Sequence, residues 1–239
     1  MSRGLLVLVG LSAAACSMSA MNVHELVSAL ADPDVLRARC RALTLLDVVL
    51  DGFAPKHGYF PGWREGVDLA TMESGSGDLY GIVFDPAGVF LYGFDHECDA
   101  TPWREWPRAH WPGLLEGLPA ALARYPADPE LQFEGFFDVT VCAWRETGAT
   151  SWQCGPVVFG LGESDGAGWL FGVLTDGSAE AVCSDAEDYY ERPVDRQAVA
   201  ALLAGAPLDP RTVGALNPAA DFEAMAERAR LLGYAVADA

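Results

Sequence analysis

Residues 79–94 constrain the fold more than any other stretch, because they spell out a β-hairpin. Two runs rich in aromatic and β-branched residues, 79–84 and 89–94, flank Asp85-Pro86-Ala87-Gly88. Pro at the second turn position and Gly at the fourth suit a type I turn closed by a glycine bulge. A second hairpin is expected over residues 136–159. If its turn centres on Gly148, Trp144 faces Trp152 and Cys142 faces Cys154, with both pairs on one sheet face. Those cysteines would then be close enough to bridge, although two small apolar core residues is the reading adopted. Residues 168–175 are read as a further strand of the same sheet.

Helical signals bracket these strands. Asn22 caps a first helix running to about Leu30, and Glu25 completes an N-x-x-E capping box. Asp32 or Asp34 caps a second helix, in which Leu36, Cys40, Leu43, Leu46 and Leu50 follow helical spacing until Gly52 ends it. Further helices are expected over 111–125, with Leu114, Leu115, Leu118 and Leu122 on one side, and over 179–190, 195–203, 210–216 and 219–232. Residues 52–78 are rich in Gly and Pro and are read as mostly irregular, and 95–110 as a polar, Trp-rich loop. The pattern is one α+β domain over residues 21–239: an antiparallel sheet built from hairpins, with helices at the N- and C-terminal ends.

Residues 1–20 admit two readings. Arg3, the apolar stretch 4–11 and Ala13-Ala14-Ala15-Cys16 resemble a lipoprotein signal, which would anchor the chain to a membrane through a lipid on Cys16. Met21 reads as an alternative start, which makes 1–20 a mis-assigned extension and the protein cytoplasmic. The second reading is preferred, because a capped helix begins too soon after Cys16 to leave a tether. No later stretch is apolar for long enough to be a transmembrane span. The six cysteines lack C-x-x-C spacing, so neither structural zinc nor a disulfide framework is expected.

Charge narrows the function classes. With 34 acids against 15 bases the net charge is −19, which argues against nucleic acid and favours a basic protein partner. Asp95, His96 and Glu97, at the end of a strand, form the densest chemically capable group. They are weak candidates for acid/base catalysis, or for a metal with help from His57 or His110, although no H-x-H or H-E-x-x-H spacing supports one. Gly162-Glu163-Ser164-Asp165-Gly166 matches a nucleophile-elbow pattern, but the strand expected after it denies the serine the helix that motif needs. Candidate partner-binding residues are Trp103, Arg104, Trp106, Arg108 and Trp111, an aromatic and basic island, and the acidic-aromatic patch Glu187, Asp188, Tyr189 and Tyr190. No metal or cofactor is expected.

Taken together, residues 21–26, Gly75-Ser76-Gly77-Asp78, Gly93-Phe94-Asp95-His96-Glu97, Trp144-Arg145-Glu146-Thr147 and Glu187-Asp188-Tyr189-Tyr190 resemble a family of uncharacterised bacterial proteins. The resemblance implies a single domain starting at Met21, and carries no activity, cofactor or catalytic residue. The function expected from the sequence is therefore an acidic, non-enzymatic binding protein, such as an immunity-type or regulatory partner of a basic protein. The alternatives are a hydrolase using Asp95, His96 and Glu97, and a lipid-anchored envelope protein.

Overall fold

A computed structural model describes residues 21–237. The reading of residues 1–20, Cys16 included, lies outside them. Two helices open the chain, α1 (Val23–Ala29) and α2 (Pro33–Leu50). The expected capping box forms: Asn22 Oδ1 accepts from the His24 N–H at 2.9 Å, while Glu25 Oε2 accepts from the Asn22 N–H at 3.0 Å. Six strands follow as an antiparallel meander in sequence order: β1 (His57–Arg64), β2 (Val67–Glu73), β3 (Leu79–Asp85), β4 (Gly88–Phe94), β5 (Val141–Glu146) and the two-residue β6 (Gln153–Cys154). Five helices close the chain: α3 (Ala167–Asp176), α4 (Ala179–Tyr190), α5 (Arg196–Leu203), α6 (Pro210–Leu216) and α7 (Phe222–Leu231). The α+β class and the helices at both ends are as the sequence implies. No helix among the described residues is long and apolar enough to cross a membrane.

The β3–β4 hairpin turns where expected, but it keeps one register from Leu79–Phe94 to Asp85–Gly88, so the two-residue turn Pro86-Ala87 closes it without the expected glycine bulge. Gly88 has φ +154°, and a Cβ there would meet the Arg145 carbonyl at 2.5 Å, so the approach of β5 requires glycine. Asp85 holds the turn by accepting from the Ala87 N–H at 2.7 Å and from Arg124 and the Tyr125 hydroxyl.

Both faces of the sheet are covered, which is why β3 and β4 are buried along almost their whole length. On one face lie the helices, with Tyr80 stacked on Phe171 of α3 at a centroid distance of 5.1 Å. Against the other lies the long connection from β4 to β5, residues 95–140, which places Tyr125 and Phe137 on Phe90 and Tyr92.

Four further expectations are corrected. Residues 57–73, read as irregular, form the β1–β2 hairpin; Gly62 and Gly66, at φ +64° and +71°, serve its bulge and turn. The helix expected over 111–125 is instead a chain of turns. Pro112 and Pro119 interrupt it, Gly113 and Gly117 sit at φ +84° and +83°, and Leu114 and Leu122 are buried regardless. Residues 168–175 lie in helix α3, because an unbroken apolar run suits a buried helix as well as a strand. The second hairpin is one residue out of the expected register: Ala143 faces Cys154 and Trp144 faces Gln153, while Cys142 pairs with Tyr92. A one-residue slip turns the side chains over, so Cys142 and Cys154 occupy opposite faces and both are free thiols.

Candidate functional site

The hairpin register places residue 78, just before β3, beside 95 and 96, just after β4. Asp78 is buried and accepts from His96 Nδ1 at 2.6 Å, the His96 backbone N–H at 3.2 Å, Trp169 Nε1 at 3.3 Å and the Ser76 hydroxyl at 3.3 Å. The His96 side chain is 41% exposed, so its Nε2 edge faces solvent, 3.9 Å from Glu97 Oε1. The bond to Asp78 raises the His96 pKa. Burial works against ionisation of Asp78, but the bonds from His96 and Trp169 outweigh it and hold the carboxyl below its ordinary range. Asp95 Oδ1 accepts from the Glu97 N–H at 3.0 Å, which shapes the turn, and the Glu97 side chain is exposed. Of the expected trio, only His96 is therefore held in a directed pose, and the residue that holds it, Asp78, is one the sequence reading passed over. The register itself pointed to Asp78, since 79 opposite 94 brings 78 to 95.

Ligand-capable atoms of Asp78, Asp95 and His96 lie within 4.8 Å of one another. Both Asp78 oxygens are already engaged by donors, so the geometry is that of a carboxylate orienting a histidine. Neither further metal ligand considered from the sequence joins it. His57 pairs with Asp47 at 2.8 Å in the core, and His110 Nε2 bonds the Phe137 carbonyl at 2.7 Å. Nearby nucleophiles are occupied as well. Cys98 is buried, with its thiol pushed up to about 12 by desolvation. Ser164 does enter a helix, contrary to expectation, but no strand leads into it. Its hydroxyl accepts from the Gly166 N–H at 3.1 Å, as in an ordinary helix-entry turn.

His96 also borders a groove of about 780 Å³ between the second sheet face and the 95–140 connection. Its floor is Leu79, Tyr92 and Phe94, its far wall Leu131 and Phe133. The floor is flat because Gly81 has no side chain and the Tyr92 ring lies across it; a Cβ at 81 would overlap that ring. Trp103 and Phe133 form the outer lip, half-exposed, with ring centroids 6.3 Å apart.

The aromatic and basic island is therefore split between two roles. The Arg108 side chain, 8% exposed, bonds Asp138 at 2.6 Å and lies over the Trp103 ring at 4.5 Å, and so builds the wall behind the lip. Arg104 is exposed over Trp111 at 5.1 Å, and Trp106 projects into solvent, 85% exposed. The acidic-aromatic patch is used partly within the chain. Lys56, the sequence's one lysine, bonds Asp185 at 2.6 Å and lies under Tyr189, the Tyr190 hydroxyl accepts from the Lys56 N–H at 3.1 Å, and Glu187 Oε1 accepts from the Val194 N–H at 3.0 Å. Asp188 is exposed.

No family model, no curated protein and no solved structure matches this chain.

Proposed function

We propose that the protein is an acidic, non-enzymatic binding protein that engages a basic protein partner at the groove and its aromatic lip. The observation that carries this reading is the groove itself: a cavity of about 780 Å³ with an apolar floor, exposed Trp103 and Phe133 at its mouth, and carboxylates in its lining. Concave, mostly apolar sites with a few polar groups are where ligands are held. The net charge of −19 supplies long-range attraction for a cationic partner, and Trp106 offers a further exposed aromatic side chain. An immunity-type or regulatory role, masking a basic protein, is the concrete form of this proposal. Capture from cells at low salt should retrieve a specific basic protein whose affinity falls at least about tenfold when salt is raised so that the Debye length drops below about 8 Å. Binding indifferent to salt would count against it.

One observation favours a second reading, a hydrolase. His96 is oriented by buried Asp78 and presents its solvent-facing Nε2 at the groove mouth, the pose of a general base. Replacing His96 with Ala would then abolish turnover of an ester or amide substrate with little change in melting temperature. Turnover that survives the change refutes the hydrolase reading.

A further inference from the structure

The groove's charges do not cancel evenly. Three carboxylates and one histidine line it, and most have partners: Asp138 bonds Arg108 at 2.6 Å, Glu130 bonds Arg64 at 3.0 Å, and His96 bonds Asp78 at 2.6 Å. Glu73 is different. It ends β2 in the same cross-strand row as Leu79 and Phe94, is exposed, and takes part in no ion pair or side-chain hydrogen bond among the described residues. A carboxylate without a counter-ion thus stands at the edge of an apolar floor. From these placements we propose that the groove binds an amphipathic cation: an apolar chain or ring lies across Tyr92 and Phe94, and its protonated nitrogen meets Glu73.

The apolar part gains from leaving water, at roughly 25 cal/mol for each Å² buried, and dominates affinity. Because Glu73 is exposed, its attraction for the cation is that of a surface ion pair, and it sets preference more than strength. An anionic head group of the same length would be repelled by the same carboxylate. The inference rests on the binding reading above and specifies what that site recognises in a basic partner: an apolar group next to an amine or guanidinium.

Three probes of equal chain length separate the terms: n-octylamine, octan-1-ol and octanoate, titrated calorimetrically into the full chain at low salt. Octylamine should bind about three- to fivefold more tightly than octanol, the factor expected of an exposed ion pair, and octanoate should bind more weakly than both. Glu73→Gln should bring octylamine down to octanol and leave octanol unchanged. Phe133→Ala, at the exposed lip, should weaken the amine and the alcohol alike. The proposal is overturned if none of the three binds, if octanoate equals octylamine, or if the amine preference survives Glu73→Gln. In each of these cases a salt-sensitive protein partner would still stand, so the two readings fail separately.

Discussion

Asp165 offers the sharpest quantitative test of how this fold is held together. Its side chain is fully buried, and its carboxylate joins the starts of two helices: Oδ2 accepts from the Val23 N–H of α1 at 2.8 Å, and Oδ1 from the Ala167 N–H of α3 at 2.9 Å. Desolvation disfavours the charge and both N–H groups favour it; burial wins, and the pKa rises from 3.8 to about 6. A raised folded-state pKa means that the stabilisation is complete below the unfolded value and is lost as pH rises through the folded one. At 1.36 kcal/mol per pKa unit the full loss is about 3 kcal/mol, of which about 1.4 falls between about pH 5 and pH 8. Asp165→Asn cannot titrate. It keeps one acceptor and loses the other, at a roughly constant cost of about 1 to 3 kcal/mol. Urea unfolding of both proteins across that range should show the wild-type advantage shrinking by about 1.4 kcal/mol as pH rises. A gap constant to within roughly 0.3 kcal/mol, or one that widens, would refute the reasoning, since widening would mean that the helix starts outweigh burial.

Three other perturbations probe separate parts of the structure. Gly155→Ala should cost about 1 to 3 kcal/mol in chemical denaturation, because its Cβ would stand 2.8 Å from the Leu114 carbonyl oxygen and overlap that of Gly113, and backbone cannot swing aside. Asp78→Asn should lower the His96 pKa, seen in an NMR titration of the imidazole, and with it remove stabilisation that wild type holds at low pH and loses as pH rises through the raised His96 value. Lys56→Met should destabilise by about 1 to 3 kcal/mol, since it leaves Asp185 part-buried without its base; a melting temperature equal to wild type would show that water already satisfies that carboxylate.

What the sequence disclosed divides along a physical line. Features fixed by local geometry were legible: the Asp85–Gly88 turn, the Asn22 cap, and the helices that Ser178, Asp195, Asp209 and Asp221 open with side-chain caps. Where tertiary context chose between equal local options, reading failed. Trp169-Leu170-Phe171-Gly172-Val173-Leu174 is a good buried strand and a good buried helix, and the Asp165 bond to the Ala167 N–H helps commit it to the helix. Residues 57–73 carry glycines that usually break strands but here serve a bulged hairpin. The site shows the same division. His96 stood out by composition, while Asp78 became visible only through strand register. The groove arises from three separate stretches, Leu69 to Tyr80, Tyr92 to Trp103 and Glu130 to Asp138, which no local pattern joins.

The location of that groove follows from the way the sheet's second face is covered. A helix presents a continuous ridge and would fill the floor, as α3 does on the other face, where a Cβ at Gly93 would meet Leu170 at 2.8 Å and Phe171 at 2.9 Å. The 95–140 connection cannot do this, because Pro112, Gly113, Gly117 and Pro119 keep it in turns, and turns touch the sheet at points. Side chains pin it to the sheet at two places, Arg124 and Tyr125 to Asp85 of β3 and Asp128 and Glu130 to Arg64 of β1, while Arg108 to Asp138 and His110 to the Phe137 carbonyl brace the connection internally. Between those pins the apolar surface of Leu79, Tyr92 and Phe94 is roofed but not filled. A protein that only needed stability would gain by closing this space, since each buried methylene contributes about 0.8 kcal/mol. An open apolar floor beside Glu73, which has no ion-pair partner among the described residues, with Trp103 and Phe133 at its edge, is the feature on which the proposed binding reading rests.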